Sequence, residues 1–236
     1  MSGDYSGINR NSIICDASSL IALADACLLD SLSLLKQHMY GDFLYPRKVR
    51  YESIEHPLNI KEYSLRALRL MDYERTGVIK LVDADVSHQM NEVMNTSNTI
   101  FSLGGKPIKL VDAGEAAQVA IAMDLGVRVL LIDERTTRTL IEAPFKLKEH
   151  LEHEFKRKVS VNERQLDRFT DMVEKFRVIR SSEIIMLAYK YGYFDSYKEY
   201  KEKALQSALY VLKYSGCSIS FEEIEEAMNA VAAGRI

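Results

Sequence analysis

The sequence predicts an α/β fold built on a parallel sheet. Apolar runs too short for helices recur at 13–15, 42–46, 78–82, 127–133 and 176–180, and the intervals between them carry helical spacing. Those intervals are long enough for the crossover connections that parallel neighbours require. No internal repeat, low-complexity tract or Pro/Gly linker interrupts the 236 residues, so one domain over 1–236 is expected.

The first run, Ile13 to Cys15, suits a buried strand, and "SSLIALADACLLDSLSLL" then places Leu and Ala at helical intervals, which puts Asp16 at the hand-over. "DFLYP" reads as a second strand stopped by Pro46. "RKVRYESIEH" reads as a short helix ended by Pro57, with Glu52 on it. Residues 60–76 show a helical apolar face of Ile60, Leu65, Leu68 and Met71 closed by Gly77, followed by a strand at 78–82. A helix is expected over 86–101, and a loop, "SLGGKPIKLVDAG", then leads into the Ala-rich helix "EAAQVAIAMDLG". "VRVLLID" follows as a buried strand ending in Asp133.

A charged, mostly helical stretch at 145–175 has the character of an insertion. Basic residues from Lys146 to Arg177 number nine, against seven acidic ones. The core is therefore expected over about 11–144 and 176–194, with a C-terminal helical extension over about 195–236. Within it Ser220 and Glu223 form a capping-box signature.

A net charge of −3 gives no global basic field, so any nucleic-acid surface has to be a local patch. Three cysteines, Cys15, Cys27 and Cys217, lack zinc or disulfide spacing and read as reduced core thiols. The opening "MSGDYSGINRNS" lacks the shape of a signal peptide, and no apolar run approaches the ~20 residues of a membrane span. A cytoplasmic protein with no membrane partner is expected.

Four carboxylates stand out by position. Asp16 and Asp133 end strands, Glu115 opens the Ala-rich helix, and Glu52 lies on the helix after the second strand. In an open parallel sheet the strand carboxyl ends face one crevice, so acids from separate segments converge there. Clustered carboxylates raise one another's pKa unless a cation neutralises them. Hard oxygen donors without His or Cys fit Mg²⁺ or Mn²⁺, and such sites complete their coordination with phosphates, so phosphodiester hydrolysis is the natural chemistry. The competing reading is structural: Asp16, Asp112 and Asp133 each precede a helix as N-caps worth ~1 kcal/mol apiece, and Asp112 with Glu115 has capping-box spacing.

The ordered set "IICDASSLIALA", "YPRKVRYESI" and "DAGEAAQVAIAMDLGVRVLLIDERTTR" resembles the PIN-domain superfamily of metal-dependent nucleases. The matching positions are Asp16 with Ser18, Pro46 with Val49 and Glu52, Gly114 with Glu115, and Asp133. "FRVIRSSEIIMLAYKYGYF" and "ALYVLKYSGCSISFEEIEEAM" resemble a branch related to VapC-type toxins. Two positions depart from that pattern: Ser19 stands where Pro is common, and Glu134 where Asp follows the strand acid. The resemblance implies a three-layer α/β/α domain with a short parallel sheet and an acidic pocket holding Mg²⁺ or Mn²⁺. It also implies ribonuclease activity on an RNA substrate, a homodimer, and an antitoxin-like protein partner. Asp16, Glu115 and Asp133 are then the metal ligands and Glu52 completes the catalytic set. Ser18 supports them, and Arg135 and Arg138 are phosphate contacts.

A catalytically inactive PIN-like module that binds RNA or protein is the alternative from another class. An aspartate-nucleophile phosphatase falls behind because it needs a second Asp where this chain has Ser18. His150 and His153 lack a third ligand, and "GGKP" has Pro107 where a phosphate loop needs Ser or Thr, so it reads as a turn. "YKYGYFDSYKEY" reads as a helix-turn-helix stopped at Gly192, and "KRK" at 156–158 is the better candidate for an RNA patch, against an equally good reading of its segment, with seven acids, as a solvated or subunit-contact helix pair.

Overall fold

The computed structural model describes residues 8–235, so the first seven residues of the polar opening lie outside the described residues. Five strands form one sheet in the order β3-β2-β1-β6-β8, every pairing parallel. They are β1 (Ile13–Cys15), β2 (Phe43–Pro46), β3 (Ile79–Val82), β6 (Val129–Leu131) and β8 (Arg177–Ile179). These are the five runs read from the sequence, and the chain is a three-layer α/β/α protein.

The strand period of two divides the apolar side chains between two cores. Ile13, Cys15, Phe43, Tyr45 and Leu131 face one layer, while Ile14, Leu44, Leu130 and Ile132 face the other. The first layer is built from α1 (Ala17–Asp25), α2 (Asp30–His38), α5 (Ser64–Arg75), α11 (Ser181–Lys190), α12 (Lys201–Tyr214) and α13 (Phe221–Ala232). The second holds α6 (Ser87–Ser97), α7 (Ala113–Leu125), α8 (Arg135–Glu142), α9 (Pro144–Phe155) and α10 (Glu163–Val173). Helix α7 is buried at Gly114 and from Ala116 to Ala122, which explains why small Ala side chains fill it, and it stops at Gly126 in the left-handed region (φ 65°).

A second, antiparallel sheet joins β4 (Phe101–Leu103) to β5 (Lys106–Pro107) and β7 (Ser160–Val161). The GGKP stretch is therefore the expected turn, with Gly104 and Gly105 between two paired strands. The charged stretch 145–175 is tied to the body through β7, and Leu147, Leu151, Leu166, Phe169 and Val173 enter the second core. Gly192 (φ 85°) separates α11 from a 3₁₀ turn at Asp195–Tyr200 and from α12, matching the helix-turn-helix expected of the Tyr-rich run. The Ser220–Glu223 capping box forms at the start of α13.

Three expectations are corrected. The helix after β2 does not end at Pro57. It runs as α3 (Arg47–Arg50), a π-helical turn at Tyr51–Glu55 and α4 (His56–Leu58), and Pro57 falls in the first turn of α4, where a missing N–H is tolerated. Helix α5 starts at Ser64 and turns its expected apolar face outward, leaving Leu65 60%, Leu68 52% and Met71 36% exposed while Ala67 and Leu70 are buried. The cause is polar docking: Arg66 pairs with Asp25 at 3.0 Å and Arg69 donates to the Ala24 carbonyl at 3.0 Å, which fixes the opposite face of α5 on α1. Cys27 is exposed and adopts φ 57°, so only Cys15 and Cys217 are core thiols. No single helix among the described residues is long and apolar enough to cross a membrane.

Candidate functional site

β1 and β6 are neighbours in the sheet, yet β1 leads into α1 on one face and β6 into α8 on the other. That divergence opens a crevice at the strand carboxyl ends. Gln118 of α7 closes its floor by donating Nε2–H to the carbonyls of Ile14 (2.8 Å) and Leu131 (3.0 Å). This seats the N-terminus of α7, with Glu115 one turn earlier, over the strand ends.

A cleft of about 180 Å³ occupies this position, lined by the carboxylates of Asp16, Glu52, Asp112, Glu115 and Glu134, with Ser18 and Gly114. Among the described residues, no Lys or Arg lines it. The nearest cation on any of these acids is Lys48, whose Nζ lies 3.3 Å from Glu52 Oε1 on the exposed side.

Each acid is held by local backbone chemistry. Asp16 is extended (φ −86°, ψ 171°) and caps α1: its Oδ1 accepts the Ser19 N–H at 2.7 Å and its Oδ2 accepts the Ser18 hydroxyl at 2.5 Å. Asp112 and Glu115 form a full capping box on α7, in which Glu115 Oε2 accepts the Asp112 N–H at 2.7 Å. Glu134 caps α8 by accepting the N–H groups of Thr136 (2.8 Å) and Thr137 (2.7 Å). Glu52 projects from the π-helical turn across the first turn of α7. A Cβ on Gly114 would lie 2.7 Å from Glu52 Oε2, so glycine is what lets this carboxylate approach.

Burial, helped by neighbouring negative charge, leaves Asp16, Glu115 and Glu52 reluctant to ionise. The Asp16 carboxyl is pushed up to about 7, chiefly by burial and then by the charge of Asp133, against the lowering effect of Ser18 and Ser19. Glu115 is also pushed up to about 7 by burial, partly offset by the Asp112 N–H. Burial and the Asp112 charge raise Glu52.

Asp133 is placed differently from the expectation. It is fully buried behind the cleft, and both oxygens are taken by Ser181 at the start of α11, the N–H at 2.7 Å and the hydroxyl at 2.6 Å. Burial raises its carboxyl as well. It does not cap the helix that follows it, since Glu134 does, and it reaches the site through its charge on Asp16. Arg135 and Arg138 line a neighbouring cleft instead, where Arg138 pairs with Glu142 at 3.2 Å. His150 lines the same neighbouring cleft and lies 3.9 Å from Glu154.

The acids brought together are thus Asp16, Glu52 and Glu115 from the expected set, plus Asp112 and Glu134. Both additions carry a signal in the sequence: Asp112 opens the same turn as Glu115, and Glu134 directly follows the strand acid. Their donors are all hard oxygens, with no nitrogen or sulfur among them, which fits Mg²⁺ or Mn²⁺ and not a soft-metal site. Among the described residues, no three His, Cys, Asp or Glu side chains stand in ready ligating geometry, as several of these oxygens are engaged with helix-start amides. Comparison with family models, curated proteins and solved structures finds no match to this chain.

Proposed function

We propose that this chain is a Mg²⁺- or Mn²⁺-dependent endoribonuclease of the PIN-like type, related to VapC-type toxins. The observation that carries the reading is the convergence of five carboxylates on one cleft at the β1/β6 divergence, with no basic residue among the described residues lining it. Such a cluster is costly when ionised, and a divalent cation is the natural counter-charge. Asp16, Glu115 and Glu52 would hold the ion, with Asp112 and Glu134 at the rim and Asp133 acting through its charge behind Asp16. Bound there, the ion would supply an activated water and charge neutralisation at a phosphodiester.

The protein's own residues do the rest. Ser18 and the Ser19 N–H hold the Asp16 carboxylate in place, and Gln118 keeps α7 over the strand ends. Gly114 gives Glu52 its approach. The reading places the enzyme in the cytoplasm, acting on RNA and restrained by an antitoxin-like partner. The outward apolar face of α5 supports a homodimer.

A second reading, the inactive PIN-like binding module, is favoured by one observation: Asp16, Asp112, Glu115 and Glu134 all satisfy helix-start amides and so have structural work without any metal. Incubation of structured and single-stranded RNAs with Mg²⁺, Mn²⁺ or EDTA separates the two. The nuclease reading expects metal-dependent cleavage lost in Asp16→Asn and Glu115→Gln. Wild-type protein that cleaves nothing while binding RNA would select the module.

A further inference from the structure

Next to the acidic cleft lies a second one of opposite character. Helices α8 and α9 meet at a corner enclosing about 260 Å³, lined by Arg135, Arg138, Thr139, Lys146 and His150, with Glu142 the one acid among the described residues there. Glu142 is engaged by Arg138 Nη1 at 3.2 Å and His150 lies 3.9 Å from Glu154, so among the described residues Arg135 and Lys146 have no acid of their own in the lining. Arg138 Nε is buried without a hydrogen-bond partner. A buried guanidinium N–H left unmatched is costly and calls for an acceptor.

The start of α9 contributes side chains and not amides. Ala143 and Leu147 line the same corner, but Pro144 has no N–H, and the N–H groups of Lys146 and Leu147 already donate to the Ala143 carbonyl at 2.9 and 3.2 Å. An unmatched guanidinium N–H on Arg138, the Arg135 guanidinium and the Lys146 ammonium share one cavity, and together they suit a phosphate. The position is equally specific. Glu134, at the rim of the acidic cleft, is the N-cap of α8, and Arg138 lies one turn further along the same helix, about 6 Å of axis away.

We propose that the α8–α9 corner is a phosphate subsite for the nucleic-acid strand on which the acidic cleft acts, holding a backbone phosphate next to the one at the acids. This deepens the nuclease reading and rests on it for the strand's path. It also gives the charged stretch 145–175 a role, because Lys146 and His150 belong to its first helix. The "KRK" run at 156–158 is not part of this corner.

The test measures binding of a fluorescein-labelled 12-nucleotide single-stranded RNA, and of DNA of the same sequence, by anisotropy in EDTA and in Mn²⁺ across a salt series. Arg138→Gln and Lys146→Gln are each expected to weaken binding about tenfold and to flatten the slope of log K against log salt by about 0.7 per lost phosphate contact. Both variants should keep the wild-type Mn²⁺-induced rise in Tm, which shows that they fold and that the acidic cleft is intact. The RNA and DNA arms decide which strand is preferred. Affinities and slopes equal to wild type in both variants, or no binding by wild type, would overturn the subsite. Cleavage that persists with unchanged binding would overturn the subsite alone, whereas loss of binding in the variants without any Mn²⁺ effect on Tm would sustain the phosphate site and remove the nuclease reading.

Discussion

Replacing Asp16 with Asn removes one charge from the cleft and keeps the start of α1, because the Asn carbonyl still accepts the Ser19 N–H that Asp16 holds at 2.7 Å. The Asp16 carboxyl stands at about 7 in the folded protein against 3.8 ordinarily. A folded-state pKa raised in this way means that the native state binds the proton more tightly than the unfolded chain. The stabilisation is complete below pH ~4 and is lost as pH climbs through about 7. A shift of about 3 pH units at ~1.4 kcal/mol each bounds the loss at about 4 kcal/mol. In EDTA, urea unfolding of Asp16→Asn should therefore match wild type at pH 4 and exceed it at pH 8 by up to about 4 kcal/mol, a large share of a typical stability of ~5–15 kcal/mol. A variant less stable than wild type by ~1 kcal/mol at every pH would refute this reasoning and reduce Asp16 to a helix cap.

Other perturbations test the surroundings. Gly114→Ala should leave stability within ~1 kcal/mol, since Ala suits a helix, the flexible end of Glu52 can move and Asp112 Oδ1, 3.3 Å from the added Cβ, need give only slightly, yet weaken Mn²⁺ affinity measured by calorimetry. Gln118→Leu should cost about 1–3 kcal/mol in urea unfolding and weaken Mn²⁺ binding as well, because it unties α7 from β1 and β6. The outward face of α5 predicts that Leu68→Ser changes stability by no more than ~0.5 kcal/mol, whereas Leu70→Ala costs about 2–5 kcal/mol; equal effects would mean that the helix is turned the other way.

The sheet was legible because its strands are apolar segments bounded by turn and helix signals, and Ile13–Cys15 pairs with Val129–Leu131 in the register that places Asp16 at the crevice. Glu115 was legible through the helix it opens. Asp133 and Glu134 were not separable, since consecutive residues beyond a strand face different ways and the choice depends on Ser181, 48 residues downstream. The face of α5 was misread for a similar reason. Leu65 and Leu68 have core-like spacing, but Arg66 and Arg69 find partners on α1, and those contacts orient the helix. Arg135 and Arg138 were legible as phosphate contacts, but the corner they share with Lys146 and His150 was not, because it joins two helices whose angle no local pattern encodes.

The most direct measurement is calorimetry of Mn²⁺ binding near pH 6 in buffers of different ionisation enthalpy, which counts protons released as the ion binds. With Asp16 and Glu115 both standing at about 7, an ion that binds their ionised forms should displace close to two protons. The number should fall to about one in Asp16→Asn if the ion still binds, and towards zero for wild type at pH 9. Binding without proton release at pH 6, or no binding at all, would contradict the assignment of the acidic cleft as a divalent-metal site.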